Sequence, residues 1–202
     1  LTAPDGTKLG KTTGARIWLD ADRTSPYQFF QHWMNTDDRQ VRQFLAQFTL
    51  LPMDEVDAAV ASHEESPGRR EAQRLLAREA TRLVHGADDA LAAEEASAIL
   101  FGSPIDGVSV AALEAVAREV PVCEVARGDL AAGVPAADLL SSPNFLTASK
   151  GEARRAIAQG GVYVNGERVG EEHVVSADSL LHDRYVLVRK GKRSFGLVRL
   201  EA

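Results

Sequence analysis

The chain has 202 residues, 45% of them apolar and 26% charged, with a net charge of −6 and a single cysteine, Cys123. This balance excludes a disordered chain and a disulfide scaffold, and no apolar run approaches the ~20 residues of a membrane span. No signal peptide is visible, so Cys123 is expected as a small buried hydrophobe in a reducing cytoplasm. Residues 51–143 carry seven Lys and Arg against seventeen Asp and Glu, a net of −10. Residues 144–202 carry ten against seven, a net of +3. An acidic chain with a basic end suits a polyanion site confined to one domain, or plain unevenness of charge. The first residue is Leu1 rather than Met, which suggests a piece of a longer chain.

Residues 5–14, D-G-T-K-L-G-K-T-T-G, form a glycine-rich loop. Lys8, Lys11 and Thr12 there suit a polyphosphate, but the Walker A spacing is absent and a surface loop is the other reading. Ser25 caps a helix with Pro26 at its first position, and Tyr27, Phe30, Trp33 and Met34 form an apolar face that reads as core. Asp37 caps a second helix, whose Val41, Phe44, Leu45 and Phe48 repeat at helical spacing. Arg39 and Arg42 lie on its other face, towards RNA or water. Val56 and Val60 mark a short helix ending near His63, and Ser66-Pro67-Gly68 breaks the chain. Ala72, Leu75, Leu76, Ala80, Leu83 and Val84 form a long helix closed by His85-Gly86, with His85 placed by the helix dipole. Leu91 to Phe101 and Val110 to Ala117 suggest two more helices. No metal site, carboxylate pair or nucleophile triad stands out. Residues 128–135, G-D-L-A-A-G-V-P, read as a linker because Gly128, Gly133 and Pro135 are breakers. Ala136–Leu140 reads as a short helix, interrupted by Ser141-Ser142-Pro143-Asn144.

Thr147 to Val169 then reads as helix, break and strand. Ser149 and Glu152 have capping-box spacing, Ala153, Ala156 and Ile157 repeat at helical spacing, and Gly160-Gly161 stops the helix. Val162 and Val164 alternate with Tyr163, and Asn165-Gly166 signals a tight turn. Lys150, Arg154, Arg155 and Gln159 flank the apolar stripe, either along a phosphate backbone or as a solvated basic face. Val174-Val175, Leu180-Leu181, Tyr185–Val188 and Phe195–Val198 are strand candidates. Residues 189–193 are expected as a basic hairpin tip, either a solvated turn or, as the second basic patch of the same domain, a further RNA contact through Lys192 and Arg193.

The string S-K-G-E-A-R-R-A-I-A-Q-G-G-V-Y-V-N-G resembles the S-four-like RNA-binding module named for a small-subunit ribosomal protein. K-L-G-K-T resembles the lysine loop of class I aminoacyl-tRNA synthetases, in the bacterial tyrosyl form, with Leu9 where an aromatic is commoner. Ile17–Asp20, Thr24–Trp33 and Asn35–Arg39 resemble the run that follows that loop. The resemblance is dense at both ends and looser over residues 60–130.

The resemblance implies the C-terminal part of a bacterial tyrosyl-tRNA synthetase. Residues 1–16 would end the catalytic domain, 17–127 would be a mainly α-helical anticodon-region domain, 128–135 a linker, and 136–202 a small α+β S-four-like domain. The Rossmann-like nucleotide-binding domain would be missing. Lys8, Lys11 and Thr12 take catalytic roles, with Lys11 on ATP, which is used with Mg2+. Lys150, Arg154, Arg155, Gln159, Asn165, Lys192 and Arg193 contact tRNA(Tyr) beside its variable arm. The full-length protein is expected as a cytoplasmic homodimer, and the fragment alone as inactive. The alternatives are a stand-alone, noncatalytic S-four-like or ribosome-associated RNA-binding protein, and a helical adaptor with a basic tail.

Overall fold

The computed structural model describes residues 17–201, so Lys8, Lys11 and Thr12 lie outside the described residues. Two compact units divide between Ser97 and Ala98. The first is helical and the second is mixed α and β.

In the first unit α1 spans Pro26–Met34, α2 Asp38–Phe48, α3 Met53–Glu65 and α4 Glu71–His85, and α5 (Ala87–Leu100) ends just past the boundary. The starts follow from side-chain caps. Ser25 Oγ accepts the Gln28 N–H at 3.1 Å, and Asp37 accepts the Arg39 N–H at 2.9 Å. Each satisfies one of the amide donors that a helix leaves open at its N-terminus. The apolar faces then converge. Val41, Phe44 and Leu45 of α2 pack with Val56 of α3 and with Ala72 and Leu76 of α4. Phe30 packs on Ala77 and Ala93, flanked by Tyr27, Trp33 and Met34, so the aromatic stripe is core as expected.

Three side chains gain a partner here. Arg39 forks onto the Asp37 carboxylate at 2.9 and 2.8 Å, and Arg42 pairs with Asp57 at 2.7 Å, so both form exposed ion pairs instead of facing RNA or water alone. The Arg39 guanidinium holds the Asp37 carboxyl far below the usual carboxylate range. His85 meets the Phe29 ring edge-on at 5.0 Å, and burial pushes its imidazole pKa down.

In the second unit α6 spans Val110–Glu119, β1 Val122–Val125, α7 Arg127–Ala132, β2 Val134–Pro135, α8 Ala136–Leu140, α9 Lys150–Ala158, β3 Val162–Val164, β4 Glu167–Arg168, β5 Val174–Val175, β6 Tyr185–Lys190 and β7 Ser194–Leu200. Among the described residues one sheet runs β1-β7-β6-β3-β4, and β2 pairs with β5 in a second. β1 lies parallel to β7, and the remaining pairs of the larger sheet are antiparallel.

The linker expected over 128–135 is replaced by α7 and β2. Its breakers act at element ends. Gly133 (φ +87°) closes α7, and a Cβ there would lie 2.6 Å from Val174 Cγ1. Pro135 sits in a two-residue strand, where its missing N–H is tolerated. Leu130, 2% exposed, anchors the segment in the core. β1 also went unseen in the sequence, because Val122–Val125 is too short to show alternation. Cys123 on that strand is half-buried.

One face of the larger sheet is core. Val162, Val164, Val186, Val188 and Val198 meet Leu139 and Leu140 of α8 and Ala153 and Ile157 of α9. Alternation along each strand sends Tyr163, Leu187, Arg189, Phe195 and Leu197 to the opposite face. α6 lies against β7 on the unit's other elements, its Glu114 accepting the Tyr185 hydroxyl at 3.4 Å. The strand candidate Leu180-Leu181 is instead the end of a 3₁₀ turn, with a single bridge from Leu181 to Tyr185.

Candidate nucleic-acid interface

The α9 helix is fixed at both ends by side chains from the sheet. At its start Ser149 Oγ accepts the Glu152 N–H at 3.2 Å, while the Glu152 carboxylate accepts the Ala148 N–H at 3.1 Å. The capping box is therefore shifted by one residue from the usual reciprocal pair. Glu152 also accepts from Lys190 Nζ at 2.9 Å, and the same Nζ donates to the Leu146 carbonyl at 2.6 Å. Lys190 thus ties the end of β6 to the start of α9. Its charge, together with the Ala148 amide, holds the Glu152 carboxyl below its ordinary pKa.

At the other end Gly160 adopts φ +66°. The Gly161 N–H reaches the Ala156 carbonyl at 2.9 Å and the Gly160 N–H reaches that of Ile157 at 2.7 Å. That pair of bonds is a Schellman closure, which satisfies the last carbonyls of the helix. Arg168 Nε of β4 donates to the Gly160 carbonyl at 2.7 Å. A Cβ on Gly160 would lie 2.5 Å from Arg168 Cζ, so a larger residue there would have to displace the Arg168 guanidinium as well as hold a left-handed backbone.

The hairpin tip is shorter than the sequence suggested. Arg189 and Lys190 belong to β6, and only Gly191, Lys192 and Arg193 turn the chain. The Gly191 N–H donates to the Gly161 carbonyl at 2.7 Å, which brings the tip beside the C-terminus of α9. Arg154, Arg155, Gln159, Lys192 and Arg193 are all exposed. The side chains of Arg154, Lys192 and Arg193 make no hydrogen bond or ion pair with any described residue. Two local carboxylates are already answered, Glu152 by Lys190 and Asp138 of α8 by Lys150. What remains is a cationic rim running from α9 to the tip. Point charges on a rigid edge can follow a phosphate backbone without reading sequence.

Two of the expected contacts have another use. Lys150 is paired with Asp138, which lowers its availability to a phosphate. The Asn165 amide is engaged at both ends: Nδ2 donates to the Ser179 carbonyl at 2.6 Å, and Oδ1 accepts the Leu187 N–H at 2.9 Å. With φ +48° at Asn165 and +85° at Gly166, this is the tight turn that joins β3 to β4. Asn165 therefore clamps the turn against β6 rather than presenting a free amide to sugar or base edges. The sequence reading missed Lys190 and Arg168. Neither carries a motif signal, because each acts through a partner distant in the chain.

Among the described residues no cluster of His, Cys, Asp or Glu is placed to hold a metal ion, and no helix is long and apolar enough to cross a membrane.

Comparison with known proteins adds a direct finding. A family model described as tRNA synthetases class I (W and Y) matches residues 1–102. A second, described as a tyrosine–tRNA ligase SYY-like C-terminal domain, matches residues 112–198. The chain is 46% identical over 202 residues to a tyrosine–tRNA ligase of Anaeromyxobacter dehalogenans, covering 99% of this chain and 48% of that protein. It is 40% identical to one of Clostridium tetani, covering all of this chain and 46% of the relative. It therefore spans about half the length of the curated relatives it matches. Of the solved structures, a C-terminally truncated mitochondrial tyrosyl-tRNA synthetase of Aspergillus nidulans matches 42% of the chain and 25% of its own, at 39% identity and a TM-score of 0.42.

Proposed function

The chain belongs to the class I tRNA synthetases of the W and Y group, and from that membership we propose that it is the tRNA-binding portion of a tyrosine–tRNA ligase. The supporting observation is the cationic rim of Arg154, Arg155, Lys192 and Arg193, of which only Arg155 has a carboxylate, Glu152, near its charge, and which Lys190 and the Gly191–Gly161 hydrogen bond hold in register. Its partner is tRNA(Tyr), gripped by its backbone, with Gln159 at sugar edges. Lys150 assists from the start of α9, and Asn165 acts by positioning the turn. In the full-length, cytoplasmic and homodimeric enzyme, Lys8, Lys11 and Thr12 serve ATP, taken with Mg2+ as substrate. Positive charge at Lys11 stabilises the departing pyrophosphate. The chain by itself does not activate tyrosine.

The test is a titration of tRNA(Tyr) at several salt concentrations. If about four phosphates are neutralised, log affinity falls with log salt at a slope of roughly −3 to −4. Arg154→Ala combined with Arg155→Ala flattens that slope by up to about 2, one per lost phosphate contact. Circular dichroism checks folding, since Ala153 and Ile157, the buried stripe of α9, are untouched. Equal slopes from two equally folded proteins overturn the assignment.

A further inference from the structure

The sheet face opposite α9 holds a cavity that the phosphate-binding rim does not use. Its volume is about 350 Å³, and Ile99, Pro104, Ile105, Leu187 and Phe195 supply its apolar walls. Arg189 lies in it with its guanidinium 4.0 Å from the Tyr163 ring centroid and 6.0 Å from that of Phe195. Beyond these ring contacts the Arg189 guanidinium makes no hydrogen bond or ion pair with any described residue, although the residue is half-buried. Its planar fork therefore keeps its donors while one face is held on an aromatic ring. Asp106 and Glu167 also line the cavity, and their carboxylates are likewise without a hydrogen bond or ion pair among the described residues.

These groups select one kind of ligand. Two carboxylates against one guanidinium make the cavity net negative, which disfavours a phosphate. A flat, neutral ring with acceptors on one edge and N–H donors on another satisfies all three. The apolar walls and the stacked guanidinium supply the platform such a ring needs. The place agrees. Arg189 and Phe195 are paired across β6 and β7, one step below the Lys190–Ser194 pair and the cationic tip. A strand whose backbone crosses Lys192 and Arg193 is then within two residue pairs of Arg189 and Phe195.

We infer that this cavity receives a single unpaired nucleobase of the bound RNA, stacked beside Arg189 and hydrogen-bonded through Asp106 or Glu167. The inference rests on the RNA-binding reading proposed above, but it concerns a separate face of the sheet and a separate chemistry.

The experiment is an abasic scan. The tRNA(Tyr) is prepared with the base deleted at each unpaired position in turn, and each is titrated against the 202-residue chain and its Ser103→Trp variant. Ser103 lines the cavity from an exposed loop, so tryptophan there fills the space and changes no charge. Wild type is expected to show one position where base deletion weakens binding about 10-fold, the loss of one stacked base. Ser103→Trp is expected to bind intact tRNA about 10-fold more weakly, to be insensitive to deletion at that position, and to keep the wild-type salt slope. If Ser103→Trp does not fold, Arg189→Gln replaces it, with the same insensitivity expected. Salt-dependent binding in which the filled and wild-type chains respond alike to every deletion overturns the pocket and leaves the rim intact. Absence of salt-dependent binding by wild type overturns the RNA reading, and the pocket with it.

Discussion

Replacing Gly160 by alanine tests how the end of α9 is held. Alanine at φ +66° sits in the left-handed region, which costs an L-residue about 1 kcal/mol or slightly more. The new Cβ would lie 2.5 Å from Arg168 Cζ. The backbone there is fixed by the two Schellman bonds, so the arginine must leave and its bond to the Gly160 carbonyl goes with it. A hydrogen bond from a charged donor contributes about 1.5 kcal/mol. The sum is about 2.5 kcal/mol, or roughly 10–20 °C in Tm for a unit of this size. The assay is native-state hydrogen exchange at the β6 and β7 amides, which reports the second unit separately from the first. The partner variant is Arg168→Ala, expected to cost about 1.5 kcal/mol by itself. In the double variant the clash is gone and the bond is already lost, so the double is no less stable than Gly160→Ala. The coupling energy is then about 1.5 kcal/mol. Strict additivity of the two substitutions would refute the argument, because it would mean that the alanine does not displace Arg168.

Three other outcomes are expected. Lys190→Met removes the donor shared by Leu146 and Glu152; since the folded Glu152 pKa lies below its ordinary 4.5, wild type holds this stabilisation above that pH and loses it as pH falls through the folded value. Urea midpoints measured from pH 7 to pH 3 should accordingly fall less steeply in Lys190→Met, and parallel profiles would remove Lys190 from that role. Asn165→Ala frees the Ser179 carbonyl and the Leu187 N–H, and should destabilise the second unit by about 1–3 kcal/mol in denaturant melts while leaving the tRNA salt slope unchanged; a shallower slope in a folded variant would return Asn165 to direct contact. Gly196→Ala places a Cβ 2.5 Å from Phe145 Cε2 and 3.1 Å from Leu146 Cγ, and should cost about 1–3 kcal/mol by overpacking, read from the same melts.

Local chemistry determines much of this protein without reference to tertiary contacts. The caps at Ser25, Asp37 and Ser149, the helix stop at Gly160-Gly161 and the Asn165-Gly166 turn all depend on neighbours within a few residues, and each is where the sequence places it. The apolar stripes of α2, α4 and α9 are equally local, because burying one helical face needs only the right period. Tertiary structure decided the rest. The breakers at 128–135 look like a linker until Val134 finds Val175 and Leu130 finds the core, a pairing that joins residues about forty apart. Lys190 looks like one more basic residue of a tip, and becomes a clamp only because β6 ends beneath the start of α9. Asn165 looks like an available amide, and the Ser179 carbonyl and Leu187 amide claim it. The cavity beside Arg189 had no sequence signal, since its walls come from the end of α5, the 102–106 loop, the β3–β4 turn and the β6–β7 hairpin. Periodicity and capping are properties of adjacent residues; the partner of a buried polar group or of a strand edge is set by which distant segment arrives there.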